Sequence, residues 1–423
     1  MGSTDLMNGI SPVPLTIGDK VYVTIRNYDR EIDKSRVEDL ERRCEVGSAD
    51  SMFHLFTDTM GDPICRIKNS PLFKMLVAEL DNELVGVIQG SIKTVTVSSC
   101  NQIIVGYILG LRVSPVHRRK GIALSLVQSV EEWFITNHVD FAYMATEKNN
   151  EASVKLFMDK LGFVEFRNLS ILVNPVRHCA INLPTSVEII KLKAEQAELL
   201  YRRFVASTDF LPHDIDTILK NKLSLGTWIA FPRGESWCDH HLETNGLSGS
   251  GLNAADKPGT NWAMLSVWNC GDLFKLRVGR APMSCHIYAK ISRVIDRFFP
   301  FLNVPSVPDV FNPFGFYFMY GLRCEGPSSG PLMHTLCQYV HNMAVKDDSC
   351  KVIVTEVGEW DSTLRLHIPN SKLLSRPDQD LWCIKPLMKT DQHNLDQEKH
   401  SALFDLTGTK PPTSSFFVDP REV

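Results

Sequence analysis

The sequence predicts a mixed α/β fold, a sheet of parallel and antiparallel strands with helices packed on it, present twice in the chain with the second copy degenerate. Three observations carry this. Apolar runs of strand length alternate with stretches whose apolar residues recur at helical spacing. One strand, over 103–113, breaks at Pro115 into a basic loop and resumes as a helix behind Gly121. The order strand, loop, helix, strand then returns in the second half at a similar spacing.

The elements follow in order. A strand is expected over 21–28, and Val37, Leu40 and Cys44 mark an amphipathic helix after it. Strands over 74–80 and 84–97 flank Asp81-Asn82-Glu83, a hairpin signal. In the strand over 103–113 the apolar residues are nearly continuous. Beyond its loop, Ile122, Leu126, Val130 and Trp133 put apolar side chains on one face of a helix. Residues 141–146 read as a buried strand. Glu147-Lys148-Asn149-Asn150 suits a turn and a helix N-cap. The next helix carries Ser153, Val154, Leu156, Phe157 and Leu161, and Gly162 supplies its left-handed end. A strand over 163–173 closes the series. Pro175 and Pro184 bracket a polar connection, which places the boundary between a domain over 21–180 and a second over 186–423. Residues 1–20 are polar and contain Gly, Ser and Pro, as a flexible N-terminal segment does.

In the second half a strand over 187–192 and a helix over 194–205 come first. Residues 234–261 are rich in Gly, Ser and Asn and read as a long mobile loop. A strand over 262–268 follows. A strand over 316–322 ends in Gly321-Leu322-Arg323, the echo of Gly110-Leu111-Arg112. A helix with Leu332, Leu336, Val340 and Met343 comes next. A strand over 352–355 ends in Thr355-Glu356, the echo of Thr146-Glu147. The second copy has Gly326-Pro327-Ser328-Ser329-Gly330 where the first has its basic loop, so it is expected to pack and shape rather than to bind the same ligand.

The first loop has a definite chemistry. A strand that ends in Val113-Ser114-Pro115, followed by a helix led by Gly121, aims backbone N–H groups and the positive end of a helix dipole at one point. A pyrophosphate fits there. The spacing Arg118-x-x-Gly121-x-Ala123 resembles the coenzyme A loop of the GCN5-related N-acetyltransferase (GNAT) superfamily. Asn150-x-x-Ser153-x-x-Leu156-Phe157, then Gly162-Phe163, resembles that superfamily's second signature. Two departures stand out. One residue more than usual separates the aromatic from the glycine. The aromatic is Phe157, where many members carry a tyrosine thought to reprotonate the leaving thiolate, and phenylalanine has no proton to give.

Segments in both halves resemble the plant Hookless-type probable N-acetyltransferases: residues 41–47, 55–58, 61–66 and 171–176, then 221–227, 265–270, 381–385 and 417–422. The resemblance implies the acyl-CoA N-acyltransferase fold and acetyl transfer from acetyl-CoA to an amine, such as a protein lysine, in hormone-linked growth control. It implies that the amides of 119–123, with Arg118, Arg119, Lys120, Gly121, Ile122 and Ala123, hold the pyrophosphate. The pantetheine arm would pair with the backbone of Leu111 and Val113, and Asn150 and Ser153 would close the other side. Direct transfer needs a base, and Glu147 is the first candidate, with Tyr107 and Tyr143 behind it. A non-catalytic acetyl-CoA-binding regulator and a scaffold are the competing readings.

Composition narrows the rest. With 43% hydrophobic and 22% charged residues the chain is of ordinary globular type. A net charge of −4 gives no bulk attraction to nucleic acid. No apolar run reaches membrane-spanning length, and the N-terminal residues lack a signal peptide's apolar stretch. Eleven dispersed cysteines without a Cys-x-x-Cys pair fit reduced thiols in the cytoplasm or nucleus. Cys238-Asp239-His240-His241 has no second ligand pair at zinc spacing, so no metal is expected.

Overall fold

The computed structural model of the chain describes residues 13–17, 21–44, 54–97, 101–235, 261–279, 281–298, 308–358, 362–372, 374–387 and 415–423. The first half contributes β1 (Val13–Ile17), β2 (Val21–Asn27), α1 (Arg30–Arg43), β3 (His54–Asp58), β4 (Leu72–Leu80), β5 (Glu83–Val97) and β6 (Asn101–Val113). Then come α2 (Ile122–Thr136), β7 (Phe141–Glu147), α3 (Glu151–Val154) and β8 (Val164–Pro175). The second half contributes β9 (Val187–Leu192), α4 (Ala194–Arg203), β10 (Thr208–Asp209), β11 (Leu211–Pro212), α5 (Ile215–Lys220), β12 (Ser224–Pro232), β13 (Trp262–Asn269) and β14 (Lys275–Gly279). It continues with α6 (Met283–Phe298), β15 (Gly315–Glu325), α7 (Ser329–Ala344), β16 (Cys350–Gly358), α8 (Ser362–Leu366), β17 (Arg376–Pro386) and β18 (Ser415–Phe416). Residues 236–260, with Cys238-Asp239-His240-His241 among them, lie outside the described residues, as do 1–12.

Local chemistry sets several boundaries. The β4–β5 turn is Asp81 and Asn82 alone, both left-handed (φ +47° and +64°), the two-residue hairpin loop that suits the strand twist. Glu83 already belongs to β5. Asp29 caps α1, its carboxylate accepting from the Glu31 N–H at 2.9 Å. Behind α3 the chain winds as a π-turn over Lys155–Lys160, with Leu161 N–H donating to Leu156 C=O at 3.1 Å. One extra residue in a helix is accommodated this way, and it accounts for the longer spacing between Phe157 and Gly162. The helix expected over 194–205 ends at Arg203 and gives way to a 3-10 turn over Val205–Ser207.

The sheet is continuous across both halves. Its order is β1-β2-β4-β5-β6-β7-β17-β8-β16-β15-β13-β12-β9, with β11 also pairing β5. From β2 inward and from β9 inward the order repeats: β2, β4, β5, β6, β7 on one side mirror β9, β12, β13, β15, β16 on the other. The two strands at the centre are exchanged. β17, from the second half, pairs with β7 of the first. β8, from the first half, pairs with β16 of the second. β17 and β8 then pair with each other. β3 and β14 add another antiparallel pair between the halves.

Helices cover both faces. Against one face α2 closes a core with Ile122, Leu126, Val130 and Phe134, and α7 closes a similar one with Leu332, Leu336 and Val340. The opposite face carries a single apolar cluster that takes Val37 and Leu40 from α1, Leu200 and Tyr201 from α4, and Ile215 and Ile218 from α5. Segment 415–423 lies within this layer: Asp419 pairs with Lys93 (3.0 Å) and Arg421 (2.7 Å), and Arg421 with Asp214 (2.6 Å).

Candidate active site

The loop behind β6 is shaped by its backbone. Ser114 N–H donates to Val85 C=O (2.8 Å), and one 3-10 turn over Pro115–His117 follows. Arg119 (φ +65°) and Gly121 (φ +85°) are both left-handed, and such residues alternating with ordinary ones turn successive N–H groups toward one concavity. For arginine that conformation costs about 1 kcal/mol, the kind of local strain that gathers at ligand sites. Among the described residues no side chain caps α2. Its first hydrogen bond back into the loop runs from Ser125 N–H to Gly121 C=O (3.1 Å), so the N–H groups of Ile122, Ala123 and Leu124 face out of the positive end of the helix. Arg118, Arg119, Lys120 and Gly121 are exposed around that end; Ile122 is buried and Ala123 half-buried. Arg118 Nε also donates to Val113 C=O at 3.4 Å, and Lys120 Nζ to His117 Nδ1 at 3.1 Å.

Beside this loop the sheet opens. β6 and β7 pair in parallel from Val105↔Phe141 to Ile108↔Met144 and then part. A bulge contributes. Between Gln89↔Leu109 and Val87↔Arg112, β6 holds one residue more than β5, at left-handed Gly110 (φ +63°). Leu109 therefore packs on the α1 side of the sheet, while Leu111 and Val113 pack on the α2 side and stay half-buried. The second half repeats the device. β15 and β16 pair from Gly315↔Cys350 to Met319↔Thr355 and then part. β15 bulges between Ser266↔Tyr320 and Met264↔Arg323, at left-handed Gly321 (φ +59°). The phosphate end differs: Gly330, at the start of α7, is buried so closely beneath His367 that a Cβ there would overlap the ring.

Acidic side chains gather between the two openings. Glu147 ends β7, half-buried. Asp380 of β17 stands opposite it in the ladder and accepts from Trp382 Nε1 at 2.8 Å. Burial pushes the Asp380 carboxyl up to about 7; the Trp382 hydrogen bond opposes this and the charge of Glu147 adds to it. Burial also holds Glu356 of β16 well above the usual carboxylate range, with Asp380 and Glu422 adding repulsion. Glu422 accepts from the Tyr143 hydroxyl and pairs with Lys93 at 2.7 Å. Tyr107 is buried, its ring 4.9 Å from that of Tyr143 and 6.0 Å from Trp382. Burial keeps both phenols protonated well above their ordinary pKa.

Asn150 caps α3, its side-chain oxygen accepting from Ser153 N–H at 3.3 Å, so that oxygen serves the helix. Phe157 is buried edge-on against Phe163, ring centres 5.2 Å apart. Its ring belongs to the core beneath α2. Burial pushes the thiols of Cys65, Cys337, Cys350 and Cys383 up to about 12, which makes them poor nucleophiles at neutral pH. Three acids of this region, Asp380, Glu356 and Glu422, are not among the site residues that sequence reasoning singles out. For Glu356 a signal exists, the Thr-Glu echo of Thr146-Glu147. Glu422 lies in the 417–422 segment that resembles the family, and nothing local marks Asp380; only the strand exchange and the docking of 415–423 bring the two near β7.

Residues 35–163 match the acetyltransferase (GNAT) family. The chain is 44% identical to an Arabidopsis thaliana "Probable N-acetyltransferase HLS1-like" over 95% of its own length and 99% of the relative's. It is 46% identical to the Arabidopsis thaliana "Probable N-acetyltransferase HLS1" over 94% and 99%. It is 33% identical to "Acetyl transferase GW6a" of Oryza sativa subsp. japonica over 95% and 98%. Among solved structures, Saccharomyces cerevisiae N-myristoyltransferase with bound myristoyl-CoA superposes with a TM-score of 0.51 at 10% identity, covering 88% of this chain and 80% of that one. A second structure of that enzyme gives 0.50 at 11% identity, covering 92% and 86%. These likenesses agree with the mixed sheet, its opened centre and the uncapped helix: the chain belongs to the HLS1-like family of probable N-acetyltransferases, acyltransferases of the acyl-CoA N-acyltransferase fold.

Proposed function

We propose that the chain moves an acetyl group from acetyl-CoA directly to an amine of a protein acceptor, a lysine side chain first, in hormone-linked plant growth control. One observation carries the chemistry: an uncapped helix N-terminus with left-handed Arg119 and Gly121 lies beside a parted pair of parallel strands. The donor supplies the activated thioester. The amides of 119–123 would bind its pyrophosphate, with Arg118, Arg119 and Lys120 adding charge. The backbone of Leu111 and Val113, freed from β7, would pair with an extended pantetheine arm through its N–H groups, its carbonyls already accepting from Arg112 and Arg118. An N–H there would donate to the carbonyl oxygen as negative charge develops on it. The acceptor arrives as an ammonium and must lose a proton before it can attack. Glu147 and Asp380 form the acid–base pair, one carboxylate keeping its neighbour's proton affinity high. The C–S bond breaks as the amide C–N bond forms, and the thiolate takes up a proton.

Phe157 favours a second reading, an acetyl-CoA-binding regulator without turnover, because no phenol stands at that position. Calorimetry with acetyl-CoA and a transfer assay on lysine peptides separate the two. The expected result is micromolar-range binding and acetylated peptide, both lost in Gly121→Glu, which brings a side chain and a negative charge to the phosphate end. Binding without transfer would support the regulator. No binding at millimolar acetyl-CoA would overturn both.

A further inference from the structure

Helix α6 turns its apolar side outward. Its buried side carries Ala289 and Ser292, the Ser292 hydroxyl donating to the Ala289 carbonyl at 3.1 Å. His286, half-buried, stacks on Phe311 with ring centres 3.9 Å apart, and Arg293 pairs with Asp309 at 3.3 Å. On the outer side Met283, Ile287, Tyr288, Ile291, Val294 and Phe298 are each more than half exposed. At about 100° per residue, all of these but Tyr288 fall within an arc of about 80°. Water-exposed surfaces scatter their apolar side chains singly, and a contiguous set marks an interaction site.

The spacing within this set fits a second helix. Ile287, Ile291, Val294 and Phe298 follow at steps of four, three and four, the seam along which one helix packs on another. Beside the seam a groove of about 1260 Å³, part of it open to solvent, separates α6 from the body. Lys290, Arg293 and Val294 line it from the helix, and Val176 and Val345 from the far side. Val294 belongs to both seam and groove. A helix about 10 Å across can lie over the seam with one edge in the groove. A bilayer surface is flat on this scale and would leave the groove unfilled.

The charge selects the kind of helix. In sequence, 275–298 holds Lys275, Arg277, Arg280, Lys290, Arg293 and Arg297 against one acid, Asp296, within a chain of net charge −4. Lys290 is exposed at the rim of the seam and makes no ion pair among the described residues. The acids of the groove are engaged. Asp309 is held by Arg293 and by Asn312 (2.9 Å), and Asp347 by Ser349 (2.8 Å) and the Tyr317 hydroxyl (3.1 Å). The Lys351 ammonium donates to the Asp348 carbonyl at 2.5 Å and sets a cation beside that residue. Two copies of α6 face to face would bring like charges together, which opposes self-pairing through this face.

We infer that the outer face of α6, with its groove, is a docking site for an amphipathic helix of another protein, apolar along one seam and carrying Asp or Glu on the flank that meets Lys290. Cys350 and Lys351, at the start of β16, border the groove, whereas β15 and β16 part beyond Thr355. The first opening shares that far end, since Glu147 aligns with Gly358 through Asp380 and Leu169. The docked helix therefore lies away from the acetyl-CoA loop, and the site recruits a partner without occupying the reaction centre.

The probe is a fluorescein-labelled peptide of three heptads with leucine at both seam positions and glutamate on both flanks. Its comparison carries lysine on the flanks. Binding to the full chain is read by anisotropy. The glutamate peptide should bind at least about tenfold tighter than the lysine peptide, and added salt should narrow the difference. Ile287→Glu combined with Ile291→Glu should abolish binding, while thermal unfolding and acetyl-CoA calorimetry match the natural chain. Lys290→Glu, a change at an exposed charge, should reduce the preference for glutamate even if the double variant fails to fold. No binding, equal binding of the two peptides, or a preference that Lys290→Glu leaves unchanged overturns the site. So does a natural chain that sediments as a dimer where the double variant sediments as a monomer, since a second copy then covers the face. Phosphatidylserine vesicles that retain the natural chain and release the double variant would give the face to a membrane and overturn it as well.

Discussion

At the scale of single residues, the candidate site gathers Asp380, Glu356 and Glu422, three carboxylates whose proton affinities the fold has raised. Asp380 is the clearest case. Its carboxyl is buried, sits across a ladder rung from Glu147, and is pushed from 3.8 to about 7. The raised value means that the folded chain binds the proton more tightly than the unfolded one. The favourable contribution of that group is therefore complete below about pH 4 and is lost as pH rises through about 7. Asp380→Asn should make the protein more stable at pH 8, by something on the order of 1–3 kcal/mol, with a smaller gain at pH 5. Chemical denaturation at the two pH values measures this. In catalysis the same substitution should lower kcat by about 10- to 100-fold. It should also remove from the pH–rate profile the limb near pH 7 that the Asp380 carboxyl itself sets. An unchanged profile would mean that the pair does not handle the proton.

At the scale of elements, the working feature is a bulge followed by the parting of two parallel strands, built once in each half. Gly110 and Gly321 hold the left-handed residue of each bulge, so any side chain there is strained. Their surroundings differ. A methyl group at Gly110 would meet Gln89 Cδ at 3.2 Å, the end of a flexible chain. At Gly321 it would fall on the buried Tyr201 hydroxyl, which is hydrogen-bonded to Ser266. Gly110→Ala should therefore cost about 1 kcal/mol and weaken acetyl-CoA binding. Gly321→Ala should cost more, about 2–4 kcal/mol, while acetyl-CoA affinity is kept. Paired thermal melts and calorimetry read both numbers. Equal stability losses would mean that the two bulges are not held as differently as their neighbours indicate.

At the scale of the whole molecule, the exchange of β17 and β8 makes the two halves mutually dependent. The first half alone lacks the strand that covers β7. It would expose the edges of β7 and β8, which is a route to aggregation. Residues 1–180 expressed alone should be insoluble or lack a cooperative melt. Co-expression with 181–423 should restore a soluble complex that binds acetyl-CoA. A cooperative, ligand-binding 1–180 fragment would show that the central pair of strands is dispensable. The full chain should unfold in one transition, since one apolar cluster takes residues from both halves.

Much of this architecture is legible in the residues themselves. Local signals place the strands and helices of 21–173, because hairpin turns, caps and helical periodicity act over a few neighbours. They also mark the loop over 118–123, since a glycine-led helix start is a local event. The repeated Gly-Leu-Arg and Thr-Glu words mark both bulges and both strand ends. What the chain order does not reveal is which strand lies beside which. β17 carries Asp380 into the first half's site, and 415–423 carries Glu422 beneath it, through pairings between residues far apart in sequence. Such contacts depend on which surfaces fit when the whole sheet assembles, so only the tertiary structure decided which acids stand beside Glu147 and where the second opening of the sheet lies.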